Sequence, residues 1–182
     1  PPETAPIQEP IPPKHMSNRD LYVLSAATAV VTANAYYIHP IISLVADDFG
    51  ISHAMIGMVP AFNQIALALG ILLLLPLGDW VSNRRLTGIF VAAQFLSVAV
   101  MAFAQDYWLF VTGSTVLGFF TIAPYLLPTY VSKRVAPGDL GKATAIITTG
   151  IIAGILLARA GAGVMGQYFG WRSVYFVAAA LM

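Results

Sequence analysis

Cysteine is absent from this 182-residue chain, which excludes disulfides, thiol nucleophiles and cysteine-based metal sites. Charge is scarce as well: Asp, Glu, Lys and Arg make up 9% of the residues, where soluble domains carry roughly 25%, so a water-soluble core is a poor reading. The net charge of +1 gives no reason to expect nucleic acid as a partner. Enzyme signatures are missing too. Gly138-Asp139-Leu140-Gly141-Lys142-Ala143 lacks both the glycine spacing of a phosphate loop and the Ser or Thr after its lysine. Gly113-Ser114-Thr115 lacks the following glycine of a nucleophile elbow. His15, His39 and His53 are too scattered for a zinc-binding helix. The chain reads as a non-enzyme with no cofactor and no metal.

Long apolar runs dominate instead. Hydrophobic residues make up 58% of the chain, and charge-free stretches cover 21–46, 54–78, 86–105 and 107–132. A fifth, 143–166, is interrupted only by Arg159. At about 1.5 Å per helical residue, each is long enough to cross a hydrocarbon core about 30 Å thick. A sixth begins after Trp171-Arg172 and stops at Met182, short of the roughly 20 residues a span needs. The prediction is an all-α membrane protein with the lipid bilayer as its solvent: helices over about 21–46, 54–78, 86–105, 107–132 and 143–166, and an incomplete one over 172–182. Residues 1–20 hold six prolines and no apolar run, and so read as a disordered arm.

Basic residues in the connections set an orientation. Lys14, Arg19, Arg84, Arg85, Lys133, Arg134 and Lys142 fall on one side of the alternating spans and Arg172 alone on the other. The positive-inside rule then places the amino terminus and the 78–85 hairpin in the cytoplasm. Trp80, Trp108 and Trp171 stand at predicted segment ends, where an indole suits the headgroup level.

Polar residues inside the spans are few and patterned. Ser25, Thr28, Thr32, Tyr36 and His39 recur at spacings of three and four along one face of the first helix. Such a face should look at protein or water, because lipid leaves polar groups unsatisfied. The second helix carries Asn63-Gln64 and the third Gln94. The fourth contains Pro124 and Pro128, each removing a backbone hydrogen bond. Tyr36-Tyr37-Ile38-His39-Pro40 and Pro124-Tyr125-Leu126-Leu127-Pro128 place tyrosine and proline alike in the first and fourth spans. Matching interruptions in two inverted triplets point to a transporter's substrate site. In the fifth span, Gly150, Gly154, Ala158, Ala162 and Gly166 form a small-residue ridge for close helix packing. Arg159 lies on another face of that helix; an arginine within a span costs about 2.5–3.5 kcal/mol on insertion scales and wants a partner or an aqueous path.

With Gly78-Asp79 followed by Arg84-Arg85, the chain resembles the amino-terminal half of a major facilitator superfamily transporter. Three further stretches are similar to a bacterial branch of that family: 33–40 running to Asp48-Phe49-Gly50-Ile51-Ser52, 154–163 with Arg159, and Phe169-Gly170-Trp171-Arg172. The hairpin departs from the fuller signature at Trp80 and Ser82. The resemblance implies a six-helix bundle of two inverted three-helix repeats, its last helix truncated here, in a multi-pass protein of the cell inner membrane. It implies a second six-helix bundle as partner, either a missing carboxyl-terminal half or another copy, and a small-molecule substrate. It assigns Asp79, Arg84 and Arg85 to a conformational latch, and the cavity to Thr32, Asn34, Tyr36, His39, Asn63, Gln64, Tyr125 and Arg159. Secondary active transport of a small organic solute by alternating access, as efflux or coupled to protons, is the expected function. The alternative is a non-transporting module that self-associates through the ridge on helix five.

Overall fold

The computed structural model describes residues 16–132 and 134–182, with every side chain in them except those of Asp79, Asn83, Ala123, Pro128 and Thr129. Most of the expected arm, including Lys14, lies outside the described residues, as does Lys133. All regular structure among the described residues is helical. The first span consists of α1 (Asn18–Ala33) and α2 (Ile38–Phe49), and the second of α3 (His53–Ile56) and α4 (Met58–Leu74) running into a 3-10 turn, Leu75–Asp79. Next come α5 (Asn83–Phe103), then α6 (Tyr107–Phe120) with α7 (Ala123–Ser132), α8 (Leu140–Phe169) and α9 (Trp171–Leu181). Five of these stretches are long and apolar enough to cross a membrane: Asn18–Phe49, His53–Gly78, Arg84–Phe103, Tyr107–Ser132 and Pro137–Phe169. The protein is an all-α membrane bundle. Leu72, Leu96 and Ile152 are exposed on its outside, as befits a body whose solvent is hydrocarbon.

Local signals set the helix ends. Ser17 and Asp20 form a reciprocal capping box that starts α1 at Asn18. Asp106 caps α6 by accepting from the Leu109 amide at 3.0 Å. Gly50 ends α2 at φ 63° and Gly170 joins α8 to α9 at φ 79°, both in the left-handed region that suits glycine.

The most extensive seams pair the first span with the fifth, through α1 and α8, and the second with the fourth, through α4 and α6. These two pairs exchange under an inverted repeat of three helices, and α5 packing on α9 is the self-related pair. Glycine makes both seams possible. A β-carbon on Gly150 or Gly154 would overlap Ser25 or Ala29 of α1, and one on Gly70 or Gly118 would overlap Phe119 of α6 or Asn63 of α4. Small residues permit this backbone approach, and the association then rests on van der Waals contact, since lipid gives helices no hydrophobic push toward one another. The whole ridge of Gly150, Gly154, Ala158, Ala162 and Gly166 is buried, and Ser25, Ala29 and Ile41 of the first span close over Gly150, Gly154 and Gly166. The ridge is occupied within the chain and is not a free surface for self-association.

Each end of the bundle is tied differently. At the basic end, the Met16 amide donates to the Arg134 carbonyl at 3.2 Å and Lys142 to Asn18 Oδ1 at 3.4 Å. At the opposite end, Arg172 pairs with Asp48 at 2.7 Å and donates to the Ala104 carbonyl at 3.0 Å, joining α9, α2 and the end of α5. Beneath that clasp, Phe49, Phe110, Trp171 and Tyr175 meet mostly edge to face with ring centroids 5.2–6.0 Å apart.

Candidate functional site

The first and fourth spans are both broken near mid-depth. Between α1 and α2, the amides of Ala35 and Tyr36 bond back three residues, to the Thr32 and Ala33 carbonyls. Pro40 explains why the ladder fails there: it has no N–H for the carbonyl four residues earlier, that of Tyr36. His39 fills the gap, with Nδ1 3.3 Å from the Tyr36 carbonyl oxygen. A carbonyl only accepts, so this contact is a hydrogen bond in the tautomer that carries its proton on Nδ1. Between α6 and α7, Pro124 likewise has no N–H for the Phe120 carbonyl, which accepts instead from the Ile122 amide at 2.8 Å and from Gln94 Nε2 at 3.0 Å. Gln94, fully buried on α5, also lies 3.4 Å from the Asn34 amide in the first break. One side chain thereby touches both interruptions.

Four expected cavity residues lie around these breaks on one side of the bundle. Tyr36 and His39 are half-buried and stacked, with centroids 5.8 Å apart and planes 24° from parallel. Tyr125, exposed on α7, is an electrostatic neighbour of Tyr36. Arg159 follows from helix register. The first span runs parallel to α8, with Ser25 over Gly150, Ala29 over Gly154, Ile41 over Gly166 and Pro40 against Gly163. Counting back four residues from Pro40 and Gly163, across the break on one side and along α8 on the other, puts Tyr36 and Arg159 at a similar depth. Leu157 and Gly161 line the cleft toward α9. Arg159 is two residues from each, about 200° around the helix at 3.6 residues per turn, so it points away from α9 and shares the side of Gly163.

The remaining four are placed elsewhere. Thr32 and Asn34 are buried in the first span, Thr32 Oγ1 without a partner and Asn34 bonded to Gln94 and to Met182 Sδ. Asn63 is buried in the α4–α6 seam, where Nδ2 donates to the Ser114 carbonyl at 2.7 Å. Gln64, its neighbour, is exposed. In the hairpin, the Asp79 backbone ends the 3-10 turn, while Arg84 and Arg85 are exposed in the first turn of α5 and pair with none of the described side chains. Two cations at a helix amino terminus oppose its dipole, so nothing local favours their position. Two features escaped the sequence reading of the site: the bridging role of Gln94 and the Arg172–Asp48 clasp. Gln94 carried a signal, being the one polar amide in the middle of its span.

The Major Facilitator Superfamily model matches residues 24–182. The chain is 32% identical over 171 residues to a protein named uncharacterized transporter YgaY from Escherichia coli O157:H7, a match covering 93% of this chain and 43% of that protein. It is 30% identical over 161 residues to "Probable transporter SCO4007" of Streptomyces coelicolor, covering 88% of this chain and 37% of that one. The chain thus spans less than half the length of these curated relatives. No solved structure matches it. A family match over nearly all of five membrane-length helices establishes that this chain belongs to the Major Facilitator Superfamily.

Proposed function

We propose that the chain is one bundle of a secondary transporter that moves a small organic solute by alternating access against a second six-helix bundle. The observation that carries this reading is the gathering of Tyr36, His39, Tyr125 and Arg159 on one side of the bundle, at the interruptions of the two spans that the inverted repeat exchanges. A lipid-facing wall would not collect four polar groups at that depth. Gln64 is exposed and available to the same path, whereas Thr32, Asn34 and Asn63 serve the interior that supports it. The bias of basic residues toward one end supports a cytoplasmic amino terminus in a cell inner membrane. The Asp79, Arg84 and Arg85 hairpin would then hold the cytoplasmic ends of the bundles together in the outward-open state. His39 is the imidazole of the gathering, the side-chain type found in membrane proton relays, and it supports proton coupling.

The test is solute flux by the full-length transporter in proteoliposomes, with and without a pH gradient, for the wild type and for Asp79→Ala and Arg159→Ala. Flux reduced at least tenfold in both variants supports the site. Unchanged flux in both removes the assignments, and flux indifferent to the gradient removes proton coupling.

A further inference from the structure

Only one permanent charge stands deep within the described spans. Asp20, Asp47, Asp48, Asp79, Asp106 and Asp139 are all at helix ends or in connections. Arg159 lies ten residues before the end of α8 at Phe169, about 15 Å at 1.5 Å per residue. Its side chain is exposed and makes no hydrogen bond or ion pair among the described residues. The hydroxyls of Tyr36 and Tyr125, on the same side, are equally without a protein acceptor among them.

We infer that this face recognises an organic monoanion, a small solute whose carboxylate pairs with the Arg159 guanidinium while the Tyr36 and Tyr125 hydroxyls donate to it. This rests on the transporter reading. Guanidinium stays protonated and cannot relieve an unfavourable site by losing its charge, so it needs a counter-charge wherever water is thinned out. The spans provide no carboxylate of their own at that depth. A solute carboxylate matches the planar fork with two parallel hydrogen bonds, and one negative charge balances the single fixed positive one. A neutral solute leaves the cation uncompensated and a cationic one doubles the charge. Specificity for the anion follows from that difference more than from shape.

The test is thermal unfolding of the purified full-length transporter, followed by tryptophan fluorescence, with the sodium salts of acetate, lactate and benzoate, their amides, and tetraethylammonium chloride. A ligand of the folded form raises the apparent Tm. At least one carboxylate is expected to raise it by several degrees while its amide does not. Arg159→Gln abolishes the shift and Arg159→Lys keeps part of it. A carboxylate shift unchanged in Arg159→Gln overturns the inference, as does stabilisation by an amide or by tetraethylammonium that persists in that variant. If Arg159→Gln does not fold, the wild-type comparison of carboxylate with amide and the Arg159→Lys protein decide. No shift with any carboxylate also overturns it. Flux of any panel solute in proteoliposomes then tells whether the transporter reading stands without it.

Discussion

Gln94 on the third span donates to the carbonyl of Phe120 on the fourth at 3.0 Å, beside the Ile122 amide at 2.8 Å, where Pro124 has no N–H to offer. A buried amide with no exposed surface thus supplies a second donor to a carbonyl that a proline on another helix cannot serve. Interhelical hydrogen bonds in membranes average only about 0.6 kcal/mol. Leucine in place of Gln94 would also take the Oε1 acceptor from the buried Asn34 amide, and leaving a buried polar group short of a partner costs about 1–3 kcal/mol. Gln94→Leu is therefore expected to destabilise the bundle by about 1–2 kcal/mol. In Pro124→Ala, whose backbone again offers the Phe120 carbonyl a donor, the same change should cost less. A double-mutant cycle on thermal unfolding in detergent measures that coupling; strictly additive effects would show that the bond and the proline are independent.

Gly154 is covered by the Ala29 backbone, so even one methyl group has nowhere to go. Gly154→Ala should cost about 1–3 kcal/mol as overpacking. Gly141 has open space around it at the start of the same helix, and Gly141→Ala should be neutral or slightly stabilising, because alanine favours helix by up to about 1 kcal/mol. The yield and Tm of folded protein check the pair. Equal losses at both sites would mean that the α1–α8 seam is looser than the geometry requires.

One side of this seam is legible in the sequence, because small residues at a period of four in an apolar helix mark a close-packing ridge; that α1 covers it is not, since no local pattern names the partner. The breaks were only half legible. Pro40 and Pro124 were visible, but a proline acts on the carbonyl four residues earlier, so the interruptions lie at 34–37 and 121–122, upstream of where the prolines drew the eye. The polar stripe of the first span was read as one continuous face. The break divides it, leaving Thr32 buried while Tyr36 and His39 are half-exposed. Asn63 looked like a cavity residue by type, yet the glycine opposite it, Gly118, draws it into a seam. The Arg172–Asp48 clasp joins residues 124 apart, and no local pattern reports such a pairing.

That clasp has unequal halves. The side chains of Arg172 and Asp48 are 36% and 42% exposed, so solvent screens the ion pair itself and it is worth at most about 1 kcal/mol. Arg172 also holds the Ala104 carbonyl and lies 4.2 Å from the Trp171 ring centroid. Asp48→Asn should therefore cost less than about 1 kcal/mol and fade at high salt. Arg172→Ala should cost about 1–2 kcal/mol with little salt dependence. Tm values at two salt concentrations separate these expectations; equal, salt-sensitive losses would assign the clasp to charge alone.

The account stands or falls on a wet face at Tyr36 and Tyr125 against a lipid face at Ile89 and Leu96. All four are at least partly exposed, and exposure alone does not tell water from hydrocarbon. The chain has no cysteine, so a single thiol at each position, in full-length transporter with any other cysteine removed, reports its surroundings cleanly. Maleimides react with the thiolate, which needs water to form. In membranes, a small hydrophilic maleimide should label Tyr36→Cys and Tyr125→Cys at least tenfold faster than Ile89→Cys and Leu96→Cys. Equal labelling, or faster labelling at Ile89 and Leu96, would contradict the account.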